Sequence, residues 1–149
     1  MNLNGTFTFS APRDTVWTLL QDPEVLAKAL PGTERLSMVG DDRFEGQMKV
    51  SVGPVSAAKF DIIVQLVDKR QPEHFGMQID GKGGVGFTRG TATVDLREQD
   101  GATVMDYASN VQVGGKVAAV GQRLLESVGK MMMKQALESL EREIRARLT

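Results

Sequence analysis

The spacing of apolar residues changes once along this chain, and that change constrains the fold more than any single motif. From Thr33 to Val113, apolar and polar residues alternate with a period of two, in segments separated by turn residues. Beyond Gly115, apolar residues recur at every fourth position to the end. The first pattern belongs to half-buried antiparallel strands, the second to an amphipathic helix.

The alternation can be followed strand by strand. "RFEGQMKVSV" puts Phe44, Met48, Val50 and Val52 on one face, and "KFDIIVQLVD" does the same for Phe60, Ile62, Val64 and Leu66. "HFGMQID" offers Phe75, Met77 and Ile79, and "TVMDYASNVQV" offers Met105, Tyr107, Val111 and Val113. With "NLNGTFTFS" at the start and "GFTRGTATVDLRE" in between, the pattern predicts about seven strands, each pairing with the next as a meander. Two short helices interrupt the series after the first strand. One opens at Pro12 and Asp14 and carries Val16, Trp17, Leu19 and Leu20, with Trp17 as a core anchor; the other runs from Asp22-Pro23 to Pro31-Gly32.

The last segment, Gly115 to Thr149, is predicted as one helix with the stripe Val120, Leu124, Val128, Met132, Ala136, Leu140, Ile144 and Leu148. Glu126–Lys130, Glu138–Arg142, Glu141–Arg145 and Glu143–Arg147 are acid-before-base pairs at i,i+4. A strict four-residue spacing drifts by about 40° per step on a 3.6-residue helix. The stripe therefore rotates, and the helix either curves over a twisted sheet or bends at Gly129.

A helix of this length needs an apolar partner, and the concave face of the sheet is the one available. The expected fold is α+β: a curved antiparallel sheet around a long C-terminal helix, in a single domain over residues 1–149. Curling a sheet over one helix leaves a pocket between them. Its expected lining is Met48, Phe60, Ile62, Phe75, Met77, Phe87, Met105, Tyr107, Leu124, Val128, Met131 and Met132, with Tyr107 as polar handle and Arg89 at the mouth. Met131 to Met133 read either as core filler or as an adaptable wall against a ligand. Gly114, Gly115, Ala118, Ala119 and Gly121 read either as close helix–sheet packing or as an entrance.

Several function classes fall away. The net charge is −1 and Lys and Arg are scattered along the sequence, so nothing steers the chain toward nucleic acid. With no cysteine there is no disulfide, thiol nucleophile or thiolate metal site, which fits a reducing cytosol. The N-terminus lacks the basic-then-apolar pattern of a signal peptide, and no apolar run is long enough to span a membrane. "KGGVGFT" imitates a phosphate-binding loop, but Phe87 stands where the lysine belongs and a strand, not a helix, follows. Its glycines read as hairpin positions, with a bulge near Gly90 that reconciles the odd parity of Val85 and Phe87 with the even parity of Ala92, Val94 and Leu96. His74 is the one histidine and reads as a surface residue at a strand start. Asp61, Asp95 and Asp106 should point outward, and no cofactor or metal is indicated.

Certain stretches carry a resemblance. "FSAPRDTVWTLLQDPE" (9–24) resembles the opening of the START-like, or SRPBCC, helix-grip superfamily. "ALPGTERL" (29–36), "MKVSVGPVSAAKF" (48–60), "GKGGVGFTRGTATVDL" (81–96) and "TVMDYASNVQVGGKVAAVGQRLL" (103–125) resemble the CoxG family, the G subunits of carbon monoxide dehydrogenase. The resemblance implies a helix-grip fold around an apolar cavity. It also implies an accessory protein of a molybdenum CO dehydrogenase-type enzyme, cytoplasmic or peripheral at the inner face of the membrane, that binds a quinone- or lipid-like molecule. Relatives carry a membrane-reaching C-terminal tail, whereas this chain stops at Thr149, and Ala29 stands where a Cys often precedes the Pro-Gly. Two other readings remain: a START-like cyclase or hydrolase using Tyr107, Ser109 and Arg89, and a structural adaptor without a ligand.

Overall fold

The fold is taken from a computed structural model, which describes residues 1–148. β1 (Asn2–Phe9) leads into α1 (Arg13–Leu19) and α2 (Pro23–Ala29). Then come β2 (Thr33–Met38), β3 (Arg43–Val52), β4 (Val55–Arg70), β5 (His74–Gly83), β6 (Gly86–Gln99) and β7 (Ala102–Gly114). A 3₁₀ turn at Lys116–Val120 precedes α3 (Gln122–Leu148). Asp22 caps α2 by accepting a hydrogen bond from the Glu24 N–H at 2.9 Å, with Pro23 in the first turn.

The seven strands form one antiparallel sheet in the order β1-β7-β6-β5-β4-β3-β2. The meander expected from the sequence holds for β2 through β7. β1 departs from it by pairing with β7, Gly5 opposite Tyr107 and Phe7 opposite Met105. β1 and β2 are thus the two edges of the sheet, with α1 and α2 joining them.

The predicted inward parities are the observed ones on β3, β4, β5 and β7. Buried residues fall into two clusters. The larger holds Phe9, Val16, Trp17, Val25, Phe44, Phe75, Val94, Leu96, Met105, Leu137, Leu140 and Ile144. Trp17 meets Phe75 edge-on at 5.5 Å, a favourable aromatic geometry. The smaller cluster is Val52, Val117 and Leu125, ringed by Val50, Val85, Val113, Leu124 and Val128.

The final helix begins later than the sequence suggested. Gly115 and Gly121 take positive φ, +83° and +101°, and isolate the 3₁₀ turn from α3. From Gln122 the helix runs unbroken through Gly129. Gly129 serves approach, not a break: a Cβ there would lie 3.2 Å from Leu3 of β1. Farther along, Glu141 accepts the Ser10 N–H at 3.0 Å and pairs with Arg145 at 3.8 Å, tying the β1–α1 junction to α3.

Candidate functional site: a cleft between the first strand and the last helix

β1 is an edge strand, and α3 passes alongside it. Between them lies a cleft of about 360 Å³, within the size range of small-ligand sites. Leu3, Phe7, Tyr107, Met133 and Leu137 supply its apolar surface; Asn2, Asn4, Thr6, Lys130, Lys134 and Glu138 form its polar rim. The helix residues sit at i,i+3 and i,i+4 spacing on one face of α3, so a single row serves the site. Tyr107 reaches it because its cross-strand partner is Gly5. A Cβ on Gly5 would lie 2.5 Å from the phenolic oxygen and 2.8 Å from Cζ.

Of the residues expected to line a pocket, Tyr107 lies in this cleft. Met48, Phe60, Ile62 and Met132 are inward-facing yet belong to neither cluster, and Met48, Ile62 and Met132 keep partial exposure. Met77 packs against the larger cluster, and Leu124 and Val128 against the smaller.

Five expectations are corrected. Phe75 and Met105 are packed in the core, 3% and 5% exposed, and neither borders the cleft. Phe87 and Arg89 lie on the outer face of the sheet. β6 pairs without a register shift from Phe87 to Gln99, so no bulge occurs near Gly90, and Thr88, Gly90 and Ala92 continue the inward parity. The apolar parity changes instead at the hairpin tip, where Gly86 has φ +145°. Phe87 lies against Gly114 and is 41% exposed, while Arg89 pairs with Asp80 at 3.4 Å and sits over the Phe87 ring. Met131 is 52% exposed on the outer side of α3.

The sequence reading offered Met133 as one of two alternatives for the Met131–Met133 run and missed Leu3, Phe7, Leu137 and the two rim lysines as site residues. Their signals were present, as alternation in β1 and the row 130, 133, 134, 137 on α3. What was lacking was the pairing that makes β1 an edge.

On the outer face, His74 is more enclosed than a surface reading suggests. Its Nδ1 lies 2.7 Å from Asp95 and its Nε2 3.3 Å from Asp68. Asp106, also on the outer face, accepts hydrogen bonds from Thr6 at 2.8 Å and Arg97 at 3.2 Å. Those two bonds, Thr6 first, hold its carboxyl below the ordinary aspartate value. Among the described residues, no group of three or more His, Asp or Glu is arranged to hold a metal. No described helix is long and apolar enough to cross a membrane.

The family model of the carbon monoxide dehydrogenase G subunit (CoxG) matches residues 5–145. The chain belongs to the CoxG family. A conserved protein of Geobacillus kaustophilus with a solved structure is 31% identical, with 98% of this chain and 96% of that one covered and a TM-score of 0.91. Two more distant structures share the fold. A START superfamily protein of Mycobacterium smegmatis is 14% identical, with 99% of each chain covered and a TM-score of 0.73. The Zhui aromatase/cyclase of a Streptomyces species is 17% identical, with 100% and 96% covered and a TM-score of 0.71. No protein of curated function matches in sequence. The helix-grip architecture expected from the sequence is therefore the fold of this CoxG-family chain.

Proposed function

We propose that this chain is a non-enzymatic accessory protein that holds one lipophilic molecule, quinone- or lipid-like, between its sheet and α3. The cleft beside β1 carries the reading. It joins an apolar floor of Leu3, Phe7, Met133 and Leu137 to one phenolic hydroxyl, that of Tyr107, with cationic and amide groups at the rim. Such a site takes an apolar body and orients one polar end. Membership of the CoxG family supports service to a molybdenum CO dehydrogenase-type enzyme.

A cyclase or hydrolase on the same fold would need polar side chains converging on one point. Tyr107 and Arg89 stand on opposite faces of the sheet, and the Ser109 hydroxyl is engaged, donating to the Leu3 carbonyl at 2.7 Å. These observations favour the binding reading.

Native mass spectrometry with decylubiquinone and with oleate tests it. Wild type should retain one molecule of at least one probe, and Met133→Trp, which fills the cleft, should lower retention at least tenfold at unchanged thermal stability. Retention of neither probe, or equal retention by the variant, overturns the assignment.

A further inference from the structure

β1 has an open edge, and the cleft lies along it. Met1 and Val111 exchange two backbone hydrogen bonds, at 2.6 and 2.8 Å. The register of β1 on β7 is constant from Asn2 to Phe9. Bonded residues alternate along an antiparallel pair, so the odd residues of β1 bond to β7. Asn2, Asn4, Thr6 and Thr8 turn their N–H and C=O groups to the free edge, and Ser10 is next in that series.

This edge faces α3 and already holds one carboxylate. The Ser10 N–H donates to both Glu141 oxygens, at 3.0 and 3.2 Å, and the Ser10 hydroxyl donates to one of them at 3.1 Å. Arg145 stands beside the same carboxylate at 3.8 Å. An edge N–H, a hydroxyl and a helix cation thus surround one carboxylate. The cleft repeats that set with no carboxylate inside it. α3 passes Leu3 at Gly129 and Ser10 at Glu141. Rises of about 3.3 Å per strand residue and about 1.5 Å per helix residue bring Asn4 and Thr6 alongside the turn that carries Lys130 and Lys134. Tyr107 supplies the hydroxyl, which has no hydrogen-bond partner among the described residues. Asn4 commits its side-chain oxygen to the Ser109 N–H at 3.1 Å, which leaves its NH₂ group to donate.

Neither Lys130 nor Lys134 forms an ion pair among the described residues. Glu126, four residues before Lys130, accepts a hydrogen bond from Gln122 at 3.4 Å instead. Glu138 follows Lys134 at i,i+4, the weaker order for such a pair, and it too forms no ion pair among the described residues. Two lysines against Glu138 leave the rim with one uncompensated positive charge.

We propose, resting on the ligand cleft assigned above, that the polar end of the bound molecule is a carboxylate. The ligand is then a long-chain carboxylic acid, not a neutral quinone or ester and not a phosphomonoester. One uncompensated positive charge matches one carboxylate, whereas a phosphomonoester carries about −1.5 to −2 at pH 7. A neutral carbonyl can accept from the Tyr107 hydroxyl but gives the lysines no counter-charge. The acid's chain lies on Leu3, Phe7, Met133 and Leu137. Both lysines reach solvent, so their pull on the head weakens with salt.

The test is retention of oleate, methyl oleate, oleyl phosphate and decylubiquinone by the full chain after gel filtration, quantified by mass spectrometry of the extract. Wild type should retain oleate over each of the other three by about tenfold, the factor that one charge-assisted hydrogen bond is worth. Raising NaCl from about 0.05 to 0.5 M should narrow that preference. Lys130→Gln combined with Lys134→Gln should abolish it, and Glu138→Gln should strengthen it. Thermal melts of both variants keep unfolding separate from lost selectivity. Retention of methyl oleate, oleyl phosphate or decylubiquinone equal to that of oleate overturns the carboxylate assignment and leaves the cleft assignment standing. An unchanged preference in the folded double variant does the same. Retention of none of the four overturns the cleft assignment and the carboxylate with it.

Discussion

Gly5→Ala is a small substitution with a large expected consequence. The backbone at Gly5 is ordinary strand, where Ala should be favoured over Gly by about 0.5–1 kcal/mol. In this fold, however, the new Cβ would lie 2.5 Å from the Tyr107 hydroxyl and 2.8 Å from Cζ. The ring must leave its position across β1, and overpacking of this kind costs about 1–3 kcal/mol. The melting temperature should fall by about 2–4 °C for each kcal/mol in a chain of this size. In a Tyr107→Ala background the same substitution should be neutral or stabilising, because nothing remains to be displaced. Urea unfolding of wild type, the two single variants and the double variant gives the coupling directly. Gly5→Ala and Tyr107→Ala effects that add to within about 0.5 kcal/mol would mean that the two residues are independent. Gly5 would then not be what admits the Tyr107 ring to the cleft.

Other consequences are equally direct. Asp106 has a lower pKa folded than unfolded, so its contribution is present above the ordinary aspartate pKa and is lost as the pH falls. Thr6→Ala removes the largest cause, so wild type should exceed the variant in melting temperature at pH 7, with the gap narrowing at about pH 3; a constant gap would contradict the assignment. Glu141→Ala removes the acceptor of the Ser10 N–H and should cost about 1 kcal/mol in thermal or urea unfolding, whereas Glu141→Gln, which keeps an acceptor oxygen, should cost less.

The inward parity of β3, β4, β5 and β7 was legible because period-two burial writes itself into consecutive residues. Met48, Phe60, Ile62 and Met77 accordingly face inward as expected. Phe87 and Arg89 show where that logic stops. A change of apolar parity can arise from a bulge or from a turn, and sequence alone does not separate the two. Here the turn at Gly86 carries it, and both residues end up outside. The cleft was harder still to see, since it depends on β1 lying beside β7 across more than half of the chain, and no local pattern encodes a pairing at that distance.

The pairing of β1 with β7 also sets an order of assembly. Each strand from β2 to β7 can find its neighbour across a short turn, but Leu3 finds Ser109 only after the intervening meander has formed or collapsed. Closing so long a loop is entropically costly and slow relative to hairpin formation. On a ribosome, the first strand made is thus the last to gain its partner, and it waits with Leu3, Phe7 and Phe9 uncovered. The wall of the candidate ligand site comes into being at the final step of folding.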